Sequence, residues 1–137
     1  MKYYIATSLS RMMDHNLTRD ALKILGHEIS YDWTLHESVK SVSKECLREF
    51  SINDLKGVSE ADFVVVLLPA GKGTHIELGF AIAKAKRVFL YSENPALFEL
   101  GPETNPFYHH PDVIQLSCPL VDTASLIHSL LELPATL

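Results

Sequence analysis

The 137-residue chain is 47% hydrophobic and 21% charged, with a net charge of −5 at neutral pH, and these proportions describe one compact folded domain spanning residues 1–137. They exclude a disordered or fibrous protein, and the acidic balance, with no Lys/Arg stripe, argues against a nucleic-acid polymer as partner. The longest apolar run, Phe63 to Ala70, is too short to span a bilayer, and the first residues lack a signal-peptide pattern, so no membrane partner and a cytoplasmic location are expected.

In chain order, Tyr3–Ala6 reads as a first strand, ending in the polar turn Thr7-Ser8-Leu9-Ser10. A helix from about Arg11 to Leu25 follows, with Met13, Leu17, Ala21 and Leu25 as its expected apolar face and Gly26 as its stop. His27–Trp33 is a second strand candidate, and a polar loop from Thr34 leads to a helix over about Val42–Val58 with Leu47, Phe50 and Val58 on one stripe. Phe63–Leu68 is the clearest strand. It runs into Pro69-Ala70-Gly71-Lys72-Gly73 and a helix over Thr74–Lys84. Arg87–Tyr91 is strand four, and residues 92–112, with four prolines, form a long loop. Val113–Leu116 and a helix over Val121–Leu133 close the chain.

Continuous apolar β runs separated by helices mark buried parallel strands with right-handed crossovers. The expected architecture is a flavodoxin-like α/β three-layer sandwich with a five-stranded parallel sheet in the order 2-1-3-4-5. Ligands of such sheets bind beyond the carboxyl ends of the strands, at the switch between strands one and three.

Two carboxylates stand out. Glu77 is the one charge in the otherwise apolar Ile76–Ala83, in the first turn of its helix beside the expected crevice. Thr74-His75-Ile76-Glu77 also fits a capping box, a purely structural reading. Asp54 falls on or beside the apolar stripe of its helix and towards the C-terminus, where the helix dipole disfavours an acid; a solvated Asp54 is the alternative. Gly71 and Gly73 permit close backbone approach to a ligand, with helix amides behind them, but form neither a Walker loop nor a dinucleotide fingerprint. Thr7, Ser8 and Ser10 supply hydroxyls after strand one. Trp33 is either a packed side chain or a stacking face for a nucleobase. His and Cys spacings match no metal motif, so no metal and no cofactor are expected, and Cys46 and Cys118 read as two reduced thiols.

Taken together, Asn53-Asp54-Leu55-x-Gly57-x-x-x-Ala61-Asp62, then an apolar strand, then Gly71-x-Gly73-Thr74-x-x-Glu77-Leu78-Gly79-x-Ala81, resemble the nucleoside 2-deoxyribosyltransferase family over about residues 1–118. The resemblance implies a flavodoxin-like fold and either base exchange between 2-deoxynucleosides or hydrolysis of 2′-deoxynucleoside 5′-monophosphates. It implies that Glu77 is the nucleophile at C1′ and Asp54 the acid that orients it and assists the sugar or leaving base. The turn after strand one would line the sugar or a 5′-phosphate, with Ser8, Ser10 and Arg11 as phosphate candidates. Asn105 would be the polar residue lent to a neighbouring subunit, so a homo-oligomer acting on a small nucleoside or nucleotide is expected. The sequence departs from transferases at Gly71, six residues before Glu77, where they carry an Asp that bonds the base. Base protonation then falls to Asp54, His75 or water. That missing acid also motivates a rival reading, a non-catalytic nucleotide-binding or sensor module on the same fold. A flavodoxin or receiver domain fits less well, because flavin loops are missing and a receiver's acids after strand one are replaced by Thr7 and Ser8.

Overall fold

A computed structural model describes residues 1–35 and 42–133; most of the polar loop expected after Thr34 lies outside them. Among the described residues, five strands, β1 (Lys2–Ala6), β2 (Glu28–Ile29), β3 (Phe63–Leu68), β4 (Arg87–Ser92) and β5 (Val113–Leu116), alternate with four helices, α1 (Met12–Ile24), α2 (Lys44–Glu60), α3 (Lys72–Ala83) and α4 (Leu120–Leu131). All pairings are parallel and the order is β2-β1-β3-β4-β5. This is the flavodoxin-like arrangement expected from the alternation of runs.

Side-chain alternation splits each buried strand between two cores. Tyr4, Ala6, Val64, Val66, Val88 and Leu90 face α2 and α3, meeting Val58, Leu78 and Ala81. Tyr3, Ile5, Phe63, Val65, Leu67 and Phe89 face α1 and α4, meeting Leu22, Ala124 and Ile127. Every residue of β3 is buried, which is why its sequence carries no polar alternation.

Several boundaries and faces differ from the sequence reading. The second strand shrinks to two residues, and Trp33 opens a short 3-10 turn, Trp33–Leu35, whose start is fixed by Asp32: its carboxylate accepts from the Thr34 amide and hydroxyl. The buried residues of α1 are His15, Thr18 and Leu22; of the expected face, Ala21 and Leu25 pack partly buried against the same core as Leu22, whereas Met13 (80% exposed) and Leu17 (58%) point outwards. The apolar-periodicity rule failed there because a buried imidazole and a hydroxyl occupy inward positions: Thr18 donates to the Asp14 carbonyl and His15 packs on Trp33. Gly26 does follow α1 in the left-handed region, at φ +92°. The long loop holds two 3-10 turns, Pro95–Phe98 and Pro106–His109.

One close approach sets the geometry of the site. A Cβ on Gly57 would lie 2.6 Å from the Tyr31 Cβ and 2.9 Å from the Tyr4 ring, so α2 rests directly on β1. That contact brings the middle of α2 over Tyr4. No helix among the described residues is long and apolar enough to cross a membrane.

Candidate active site

A cavity of about 300 Å³ opens beyond the carboxyl ends of β1 and β3. Its lining brings together Thr7, Ser8, Trp33, Asp54, Gly71, Gly73, Thr74 and Glu77, with Tyr4, Leu9 and Phe50. Ser10 is exposed and outside the lining. Asn105 is also outside: its carboxamide oxygen accepts from the Phe107 amide and caps the 106–109 turn.

Glu77 sits at the second turn of α3 and is 9% exposed. The helix begins at Lys72 with Gly71 as its cap, so Thr74 lies inside it and the capping-box reading fails. The Glu77 carboxylate turns inwards instead and accepts a hydrogen bond from the Tyr4 hydroxyl through Oε2. Burial pushes the Glu77 pKa up to about 8; the Tyr4 hydrogen bond opposes that rise and the charge of Asp54 adds to it. Burial, with the negative charges of Glu77 and Asp54, pushes the Tyr4 hydroxyl far above its ordinary range, so it remains a donor.

Asp54 reaches the cavity from α2, one turn after Phe50. The helix continues to Glu60, so the dipole at its end is not what perturbs this acid. Burial does, raising its pKa to about 6. Its Oδ1 is buried with no hydrogen-bond partner among the described residues. Asp54 and Glu77 also line an adjoining cavity of about 180 Å³ between α2 and α3, with Ser51, Leu55, Gly73 and Ile76. The acid pair therefore forms a wall shared by two openings.

The polar end of the main cavity is tied to the scaffold. Ser8 Oγ accepts from the Gly71 amide at 2.8 Å, bridging the turns after β1 and β3, and the Thr7 hydroxyl donates to the Leu67 carbonyl at 2.8 Å. Arg11 is committed elsewhere, donating to the Leu68 carbonyl and pairing with Asp14, each at 2.9 Å. His75 does not line the cavity: Nδ1 donates to the Gly71 carbonyl and Nε2 accepts from the Tyr108 hydroxyl, each at 2.7 Å. Trp33 forms an aromatic wall, its Nε1 donating to the Ile5 carbonyl at 2.7 Å. Among the described residues, no group of three or more His, Cys, Asp or Glu side chains is placed to hold a metal ion.

Sequence reasoning missed Tyr4, whose signal was a phenol inside a strand that is otherwise buried and apolar: a buried tyrosine hydroxyl needs a partner. In chemical terms, the cavity presents two carboxylates of separated acidity, a phenolic donor on one of them and an aromatic wall.

Comparison with known proteins adds to this geometry. A family profile described as Nucleoside 2-deoxyribosyltransferase matches residues 4–111. Among solved structures, the CMP N-glycosidase of Clostridium botulinum is similar in fold, with a TM-score of 0.58 and 16% sequence identity over 93% of this chain and 98% of the other. No functionally curated protein sequence matches.

Proposed function

The chain belongs to the nucleoside 2-deoxyribosyltransferase family, and on that premise we propose that it cleaves, or transfers across, the N-glycosidic bond of a 2′-deoxynucleoside or its 5′-monophosphate. The observation that carries the reading is the convergence of Glu77, Asp54 and the Tyr4 hydroxyl on one cavity at the carboxyl edge of the sheet.

In the proposed reaction Glu77 attacks C1′ of the sugar through Oε1, because Oε2 is held by Tyr4. The C1′–N bond breaks, a glycosyl ester forms on Glu77, and the base leaves with the bonding pair and takes up a proton. Water or a second base then displaces the ester oxygen at C1′ and regenerates the carboxylate. With pKa values of about 8 and 6, Glu77 and Asp54 share one proton near pH 7, held mostly by Glu77. The proton has to leave Glu77 before attack, and Asp54, poised close to neutrality, is suited to receive it and pass it to the departing base. Trp33 and Phe50 are suited to flank the base, and Ser8, Gly71, Gly73 and Thr74, which line the same cavity, are suited to surround the 5′ end of the sugar. Phe107, 59% exposed beside Asn105, supports a homo-oligomer in which that loop meets a second subunit.

The test is chromatography of free base released from a panel of deoxynucleosides and monophosphates, with and without an acceptor base. Release that Glu77→Ala abolishes is expected; exchange identifies a transferase and release alone a hydrolase. No turnover on any member, or full turnover by the variant, overturns the proposal. Gly71, with no acid in its place, favours one rival, a nucleotide-binding module. Calorimetry would reveal that module as tight nucleotide binding, without product, that survives Glu77→Ala.

A further inference from the structure

We propose that His15 is a positioning residue that holds Trp33 as a fixed wall for the substrate's base. The inference rests on the nucleoside reading above and adds to it a residue that does not line the cavity.

His15 lies in α1 and is fully buried. Its ring meets the indole of Trp33 edge to face, with centroids 4.9 Å apart and planes inclined by 69°. Trp33 lines the cavity, so the imidazole supports the indole from α1. Two further restraints act on the same residue: the Nε1–H bond to Ile5 and the turn at Asp32 and Thr34. An aromatic ring held at several points gives up little rotamer freedom when a base docks against it. Glu77, Asp54 and Tyr4 stand on α3, α2 and β1, so loosening the indole should weaken binding and spare the bond-breaking step.

The imidazole's own contacts define the supporting state. Nδ1 is 3.0 Å from the Asn16 carboxamide oxygen, which makes it the donor and leaves a lone pair on Nε2. Nε2 is buried without a hydrogen-bond partner among the described residues and lies 3.9 Å from Asp32 Oδ1. The charged groups facing the ring are Asp32 after β2, itself bonded to Arg19 at 2.9 Å, and Arg19 and Asp20 of α1. Burial outweighs the carboxylates and holds the imidazole below its ordinary range, so His15 is neutral near pH 7. Acidification puts a proton on Nε2, pulls the ring towards Asp32 and places a cation beside the indole.

Trp33 is the single tryptophan, so its emission reports on this wall; Asp54 and Glu77 line the same cavity with pKa values of about 6 and 8, so the acid response of His15 is read below about pH 5, where both are already protonated. The experiment measures that emission against pH, together with KM and kcat for base release from the deoxynucleoside panel, in wild type, His15→Ala and His15→Phe. His15→Ala is expected to shift the emission to the red and raise KM about 2- to 10-fold with kcat unchanged, the value of one edge-to-face aromatic contact. His15→Phe, which restores a ring, is expected to recover KM and to lose the quenching that wild type shows on acidification. A wild-type KM and emission in His15→Ala, or a fall in kcat at constant KM, overturns the proposal. If His15→Ala does not fold, His15→Phe decides: retained acid quenching overturns the proposal and its loss supports it. A wild-type protein that releases no base from any panel member overturns the nucleoside reading and this inference together; an active enzyme indifferent to His15 overturns this inference alone.

Discussion

Tyr4→Phe isolates the hydrogen bond on which the proposed nucleophile depends. The substitution removes one oxygen from a fully buried ring and leaves the packing against Gly57 in place. The Tyr4 hydroxyl is the donor to Glu77, and that bond holds the acid's pKa below what burial alone would set, at about 8. A hydrogen bond to an ionised group is worth about 1.5–3 kcal/mol, which corresponds to about 1–2 pKa units. Without it the Glu77 pKa rises by that amount, and the ionised fraction at pH 7 falls about 10- to 100-fold. The measurement is kcat/KM for base release as a function of pH. Tyr4→Phe should lower it about 10- to 100-fold at pH 7 and recover towards wild type at alkaline pH, because the acid limb has moved up without loss of the nucleophile. A limb that stays where it is in wild type, or a loss equal at every pH, would refute the reasoning.

Asp54→Asn should move the same limb the opposite way, since it removes a negative charge that raises Glu77, while lowering the maximal rate by deleting the proton carrier; a limb displaced upwards would contradict this. Glu77→Gln should stabilise the fold. The folded-state pKa of about 8 lies above the ordinary 4.5, so native Glu77 keeps a proton that the unfolded chain has released, and wild-type stability falls as pH rises from 4.5 to 8. Denaturant titrations should therefore show Glu77→Gln gaining on wild type across that window, and a constant difference would count against it. Gly57→Ala places a Cβ 2.6 Å from that of Tyr31, which should cost about 1–3 kcal/mol and reduce activity by lifting Asp54 away from Tyr4; unchanged melting would show that α2 can shift freely. Leu22→Ala, at a fully buried position, should cost about 2–5 kcal/mol, whereas Met13→Ser should stay within about 0.5 kcal/mol. The reverse ranking would mean that the outward face of α1 is covered in solution.

Much of the fold was legible because parallel strands buried on both sides leave an unmistakable mark. The apolar runs of β3 and β4 could belong nowhere but the sheet interior, and Gly26 could be read as a helix stop. The short, half-exposed β2 was overread, since its extension towards Trp33 is broken by the turn that Asp32 creates. Of the expected α1 face, Ala21 and Leu25 do pack on the core, whereas Met13 and Leu17 point outwards for a related reason: apolar periodicity assumes polar groups face water, and His15 Nδ1 and the Thr18 hydroxyl find partners inside the protein.

The candidate site divides the same way. By itself the sequence determined the two carboxylates, a glycine junction between β3 and α3, the α/β alternation and the family resemblance, because each is written in residue type and local spacing; the helix starts earlier than expected, at Lys72, so Gly71 caps it and Gly73 lies inside it. Only the tertiary structure decided that the Tyr4 hydroxyl, 73 positions from Glu77 in the chain, is its partner, that Ser10 and Asn105 stand outside the cavity, and that His15 supports Trp33. The physical reason is that acidity and orientation come from burial and from contacts between distant segments. Gly57 lets α2 descend onto β1, which brings the helix that carries Asp54 over Tyr4, and burial in the assembled fold raises Asp54 to about 6 and Glu77 to about 8.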